Sequence, residues 1–259
     1  MEGSEVYGEL PTLSKLPYPF DELKEIATYF RYLVQMGNRE KSTDFYDRVT
    51  PDVPPILLIH GFLGTRGAMF PLEYRLRRDG FVVFSLNLGA LNIGDIRKSA
   101  YRIHRHIQDI LREIDLEKID IIGHSMGGLI GLYFIKQLGG DQFVRKFISL
   151  GTPHHGTSFA FVGVPPLGLI SPSIWQLLPN SFFIQELRAT PLPQDVSYYS
   201  IAGSRDLICP PRFCRLDGAK YVEIECGHAG MATSREVYNA IRDILLDNPA
   251  EISENKALS

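Results

Sequence analysis

A serine hydroxyl is a weak nucleophile at neutral pH and becomes useful only beside a base that can take its proton. Ser125 stands in a setting suited to that, in Gly123-His124-Ser125-Met126-Gly127 with a further glycine, Gly128, behind it. The pattern Gly-x-Ser-x-Gly acquires meaning from its surroundings. A buried strand is expected just before it, at Ile119-Asp120-Ile121-Ile122, and a helix just after it, over residues 126–138. A tight turn at that junction lifts the serine oxygen out of the sheet and sets it at the positive end of the helix. The base is expected downstream, in the chain order Ser, acid, His. His228 follows the strand expected at 221–225 through Cys226-Gly227, and Asp206 follows the strand expected at 196–202. Asp195 and Asp217 compete for the acid's place, but Asp195 precedes its strand and Asp217 lies further out in a loop. These residue types make Ser125 the candidate nucleophile, His228 the base, and Asp206 the group that holds the imidazole in the right tautomer.

Acyl transfer also needs donors for the developing oxyanion. The N–H of Met126, directly after the nucleophile, is one. The second is expected from His60-Gly61-Phe62-Leu63-Gly64, at the end of another buried run, through the N–H of Phe62. Substrate contacts are expected from Leu63, His124, Leu167, Trp175 and Ile208. The other histidines read as structural or solvated. His104 and His106 fall on the polar side of a helix, and His60 and His124 flank the site as scaffold groups. His154 and His155 are adjacent, point in different directions and lack metal-ligand spacing, so no metal is expected.

The elements that would position these groups follow a regular rhythm. Ile56-Leu57-Leu58-Ile59 is a short continuous apolar run, as in a strand buried on both faces. A helical segment around 66–79, a strand at 81–86, a helical stripe from 95 to 114, and a strand at 143–150 follow, and Val237, Ile241 and Leu245 mark a terminal helix. Strands alternating with helices predict an α/β fold with a mostly parallel central sheet, ligands lying beyond the carboxyl ends of its strands. Residues 153–193 interrupt the rhythm with an apolar, charge-poor stretch too long for an ordinary connection, and read as a lid or cap. The division expected is an N-terminal extension over 1–50, a core over 51–152 and 194–259, and the cap between. Within the extension, residues 20–36 place Leu23, Ile26, Ala27, Phe30, Leu33 and Val34 at helical spacing, and the apolar stripe is expected to dock on the chain's own core, with contact to a membrane or gating of a site as the alternatives.

The 259 residues suffice for one large domain, and 44% hydrophobic and 22% charged residues with a net charge of −3 offer no basic field for nucleic acid. The acidic start, Met-Glu-Gly-Ser-Glu-Val-Tyr, lacks the pattern of a signal peptide, and no apolar run approaches the ~18 residues of a membrane span. A cytoplasmic location is expected. Cys209, Cys214 and Cys226 read as free thiols, with a Cys209–Cys214 bridge left open by the short spacing.

HGFLG (60–64), GHSMGG (123–128) and LGTPHHGT (150–157) together resemble bacterial lipases and related esterases of the α/β-hydrolase superfamily, over roughly residues 54–246. The resemblance implies the α/β-hydrolase fold and hydrolysis of carboxylic esters, small-molecule or lipid, through an acyl-enzyme on Ser125. It also implies transient contact of the lid with a lipid interface. Many secreted relatives carry a signal peptide, which is not seen here. Some bind calcium through aspartates near the catalytic histidine. Gly227-His228-Ala229-Gly230-Met231 has none, so neither calcium nor any other cofactor is expected. An acyltransferase or thioesterase would use the same three residues, whereas a non-catalytic binding module would be expected to have lost one.

Overall fold

Strand β1 (Ile56–Ile59) is apolar at every position because both of its faces are covered. Leu57 and Ile59 enter one core layer with Ile119, Ile121 and Phe147. Ile56 and Leu58, one residue out of phase, enter the other with Ile122, Ile148 and Leu150. This period of two across a doubly covered sheet turns a run of four aliphatic residues into two cores. The structure is a computed structural model and describes residues 19–36 and 54–247. Six parallel strands make the sheet, in the order β2 (Val83–Ser85), β1, β3 (Ile119–His124), β4 (Val144–Leu150), β5 (Ser197–Gly203) and β6 (Lys220–Ile224).

Helices cover both faces. α3 (Ile96–Ile114) and α4 (Met126–Gln137) bury Ile103, Ile107, Leu129 and Ile130 on one side. α2 (Phe70–Arg78) and α10 (Arg235–Leu245) bury Leu72, Leu76, Val237 and Ile241 on the other. The helix expected around 66–79 is split into a 3-10 turn (Arg66–Met69) and α2, with Pro71 in the first turn of α2, where a missing N–H costs nothing. α3 starts where Asp95 accepts hydrogen bonds from the N–H groups of Arg97 and Lys98, and α10 starts where Ser234 accepts from Val237.

Between β4 and β5 the chain leaves the sheet for three short helices, α5 (Phe159–Leu167), α6 (Pro172–Gln176) and α7 (Phe182–Ala189). The small helices α8 (Pro211–Cys214) and α9 (Gly230–Thr233) follow β5 and β6. The N-terminal helix α1 spans Pro19–Met36, and the rest of the expected 1–50 extension lies outside the described residues. Among the described residues no helix is long and apolar enough to cross a membrane.

Candidate active site

Ser125 lies between β3 and α4 with φ 55° and ψ −125°, a backbone conformation that a side-chain-bearing residue adopts only under strain. Its N–H donates to the Leu150 carbonyl on β4 at 2.8 Å, and its carbonyl accepts from Gly128 at 3.0 Å. The surrounding glycines follow from how closely chains pass each other. A Cβ on Gly127 would sit 2.1 Å from the Ile59 carbonyl oxygen, and one on Gly128 would sit 2.0 Å from Thr152 Oγ1. Any larger residue there would push α4 away from β1 and β4, and the turn that presents Ser125 would open.

Asp206 and His228 meet across the ends of β5 and β6. His228 Nδ1 lies 2.6 Å from Asp206 Oδ2. Asp206 Oδ1 accepts from the backbone N–H of Ile208 at 2.9 Å and of Cys209 at 2.7 Å. Each carboxylate oxygen thus has its own partners, and the side chain is buried at 2% exposure. The competing Asp195 and Asp217 are exposed. His124 Nε2 donates to the backbone carbonyl of His228 at 3.1 Å, and the two imidazoles lie 4.9 Å apart. Burial, reinforced by the neighbouring His228, lowers the His124 pKa from 6.5 to about 3, so the ring is a neutral prop under the loop that carries His228.

Two more histidines are held neutral by burial. His60 falls to about 4 and His154 to about 3, the latter bonded through Nε2 to Ser149 Oγ at 3.0 Å. In the unfolded chain each of the three takes up a proton near pH 6.5, while the folded chain resists until about pH 3–4. Stability contributed by their neutrality is therefore complete above pH 6.5 and is lost as pH falls toward those lower values. The urea midpoint should drop between pH 7 and 4.5, and His154→Gln should make that slope shallower. Equal slopes in the two proteins would refute the assignment. His104 departs from the expected solvated role: it is half-buried, its ring 5.3 Å from that of Phe134 and 6.2 Å from that of Phe143, while His106 is exposed.

Ser125 and His228 share a cavity of about 600 Å³. Phe62, Leu63, His124, Leu167 and Ile208 line it, whereas Trp175 stands outside the wall, half-exposed, its indole N–H donating to the Gly168 carbonyl at 2.8 Å. Met126 is fully buried at the start of α4. α1 supplies a further wall, through Ile26, Tyr29, Phe30 and Leu33, so part of its stripe faces the cavity rather than the core. Bonds that hold it there include Gly227 N–H to Glu25 at 3.0 Å and Thr65 Oγ1 to the Leu33 carbonyl at 3.1 Å. The helical stripe was legible, but much of it faces outward. Leu23, Ile26, Phe30 and Val34 are exposed, as are Phe159, Phe161 and Val162 on α5 and Leu207 near the acid. Cys209, Cys214 and Cys226 are free and buried. The Sγ atoms of Cys209 and Cys214 lie 3.2 Å apart without a bond, and burial pushes the Cys209 thiol up.

A family model described as the alpha/beta hydrolase fold matches residues 54–167, from just before β1 into α5. The mature form of a Bacillus licheniformis lipase superposes with a TM-score of 0.67 at 18% identity, covering 76% of this chain and 93% of that one. The chain has the α/β-hydrolase fold. It resembles bacterial lipases in sequence as well. The triacylglycerol lipase of Pseudarthrobacter phenanthrenivorans is 28% identical over 113 residues, 41% of this chain and 35% of the relative. That of Pseudomonas fragi is 26% identical over 153 residues, 54% of this chain and 50% of the relative. The chain thus spans about a third to a half of the length of these curated relatives. In this hydrolase fold α1 lies ahead of the matched region, and the helices after α5 lie beyond it.

Proposed function

We propose that this chain hydrolyses carboxylic esters in the manner of a lipase or esterase, with Ser125 as nucleophile, His228 as base and Asp206 as its orienting acid. The observation that carries this reading is the 2.6 Å bond between His228 and the buried Asp206, at the edge of an apolar cavity that Ser125 also lines. With Nδ1 committed to Asp206, Nε2 is the ring nitrogen left to take the Ser125 proton. Ser125 Oγ attacks the ester carbonyl, and the N–H groups of Phe62 and Met126 receive the oxyanion. His228 then hands its proton to the leaving alcohol, and water, activated by the same imidazole, releases the acid from the acyl-enzyme. The names of the curated relatives support the substrate class.

The apolar wall contributed by α1 and by residues 153–193 favours an acyl chain over a polar one, and the exposed apolar residues beside it fit contact with a lipid surface. Burying each further methylene is worth about 0.8 kcal/mol, or about a fourfold gain. Across p-nitrophenyl esters from acetate to octanoate, kcat/KM should therefore rise by about fourfold per methylene until the cavity is filled. A flat or falling profile would rule out the acyl-chain reading.

A further inference from the structure

Asn92 takes no part in the chemistry described so far, yet it is buried at 1% exposure against the loop that ends β1. It follows Leu91, and both have left-handed backbone, with φ of 46° and 56°. Asparagine tolerates that region; leucine is strained in it. The turn delivers the Asn92 side chain to a site more than thirty residues earlier in the chain. There Nδ2 donates to the His60 carbonyl at 3.0 Å and to the Gly61 carbonyl at 3.3 Å. Two carbonyl oxygens facing one nitrogen decide which end of the amide carries the hydrogens.

The Gly61 carbonyl also accepts from the Gly64 N–H at 3.2 Å and lies 3.2 Å from His60 Nδ1. Gly61 O is an acceptor only, so Nδ1 must carry its proton to bond it. Three donors therefore converge on a single carbonyl oxygen. That carbonyl belongs to the same planar peptide unit as the Phe62 N–H, and in a trans unit the two point in opposite directions. The loop passes close to the nucleophile: a Cβ on Gly61 would lie 2.8 Å from Ser125 Cβ.

We infer that Asn92 is a positioning residue for the oxyanion hole, holding the Gly61 carbonyl so that the Phe62 N–H is aimed before substrate arrives. This rests on the reading of Phe62 as an oxyanion donor. Donors fixed in advance stabilise developing charge without reorganising during the reaction. Hydrogen bonds accepted by the Gly61 carbonyl also polarise its peptide unit and make the Phe62 N–H a stronger donor. The same clamp on His60 keeps the start of the loop from peeling away from β1.

Asn92→Gly removes the donor without straining the backbone, because glycine is at ease at a φ of 46°. On p-nitrophenyl butyrate, assayed well below the melting transition, kcat should fall about tenfold or more with KM held within about twofold. The melting temperature should drop by a few degrees, because two buried hydrogen bonds and the side-chain volume are lost. Asn92→Asp keeps the size of the side chain but sets a carboxylate against two carbonyls, and its kcat should fall at least as far. The second readout is phosphonylation by an alkyl p-nitrophenyl phosphonate. Here Ser125 Oγ bonds to phosphorus, p-nitrophenolate leaves, and the serine proton passes to His228. That rate should drop in parallel with kcat, since the phosphoryl oxygen occupies the same hole. Wild-type kcat in Asn92→Gly, or a loss confined to KM, overturns the inference, as does phosphonylation at the wild-type rate. A wild-type chain that is phosphonylated at Ser125 but hydrolyses no ester overturns the ester reading alone.

Discussion

Ser125→Ala should lower the turnover of p-nitrophenyl esters by about a millionfold, the scale seen when a serine nucleophile is removed. The substitution is conservative for the fold. Alanine keeps the Cβ that the φ of 55° already accommodates, and both backbone bonds of residue 125, to Leu150 and from Gly128, are unchanged. What disappears is the atom that forms the acyl-enzyme. Rate that survives would come from water attacking an ester held by the Phe62 and Met126 N–H groups, still on the order of a thousandfold above the uncatalysed reaction. The melting temperature should match that of the unaltered chain. Near-wild-type turnover would show that Ser125 is not the nucleophile and would remove the basis of the proposed function.

The second large effect is expected from Asp206→Asn, a fall of about ten-thousandfold in kcat. The reason lies in how the carboxylate is shared. Oδ1 accepts from two backbone N–H groups, those of Ile208 and Cys209, while Oδ2 faces His228 Nδ1. Asparagine has only one acceptor oxygen, and the two backbone donors claim it. Its NH2 group must then face Nδ1, which can only accept from it, so the imidazole proton moves to Nε2. The ring is left in the tautomer that cannot take a proton from Ser125. Nitrogen chemical shifts of His228 would report the exchange directly, with Nδ1 unprotonated in the variant. The exposed Asp195 and Asp217 are the matching controls, and Asn at either position should leave kcat unchanged. Activity retained by Asp206→Asn, or lost equally in a control, would displace Asp206 from its role.

Much of this is legible in the residues alone. Ile56-Leu57-Leu58-Ile59 announced a strand buried on both faces, and it runs over those four residues. The helix after Ser125 was expected over 126–138 and spans Met126–Gln137. The strand expected at 81–86 shortens to Val83–Ser85, because only three of its residues find partners on β1 at the sheet's edge. Apolar character marks where a strand is buried, whereas its ends depend on where the neighbouring strand stops.

Local pattern failed where a role depends on what lies across from a residue. Trp175 read as a substrate contact because it is large and apolar within an apolar segment, but its ring packs by Gly168 with its N–H turned to that backbone. His104 read as solvated because its neighbours in the helix are polar, yet Phe134 and Phe143 come to it from other elements. The stripe on α1 was visible as a stripe. Nothing in its spacing said that Tyr29 and Leu33 would wall the cavity while Val34 stayed in water.

The division follows from the range of the interactions. The alternation of strands and helices, the turn around Ser125 and the chain order of Ser125, Asp206 and His228 were readable from the residues alone, because they rest on residue type and on neighbours a few positions away. The rest came from contacts between distant parts of the chain. They set Asp206 2.6 Å from His228 and left Asp195 and Asp217 exposed. They brought Asn92 against His60 and Gly61, more than thirty residues away. They also laid α1 across the cavity, with bonds that include the Gly227 N–H to Glu25 and the Thr65 hydroxyl to the Leu33 carbonyl. Contacts of that kind are formed only when the sheet is complete, and no local periodicity encodes them.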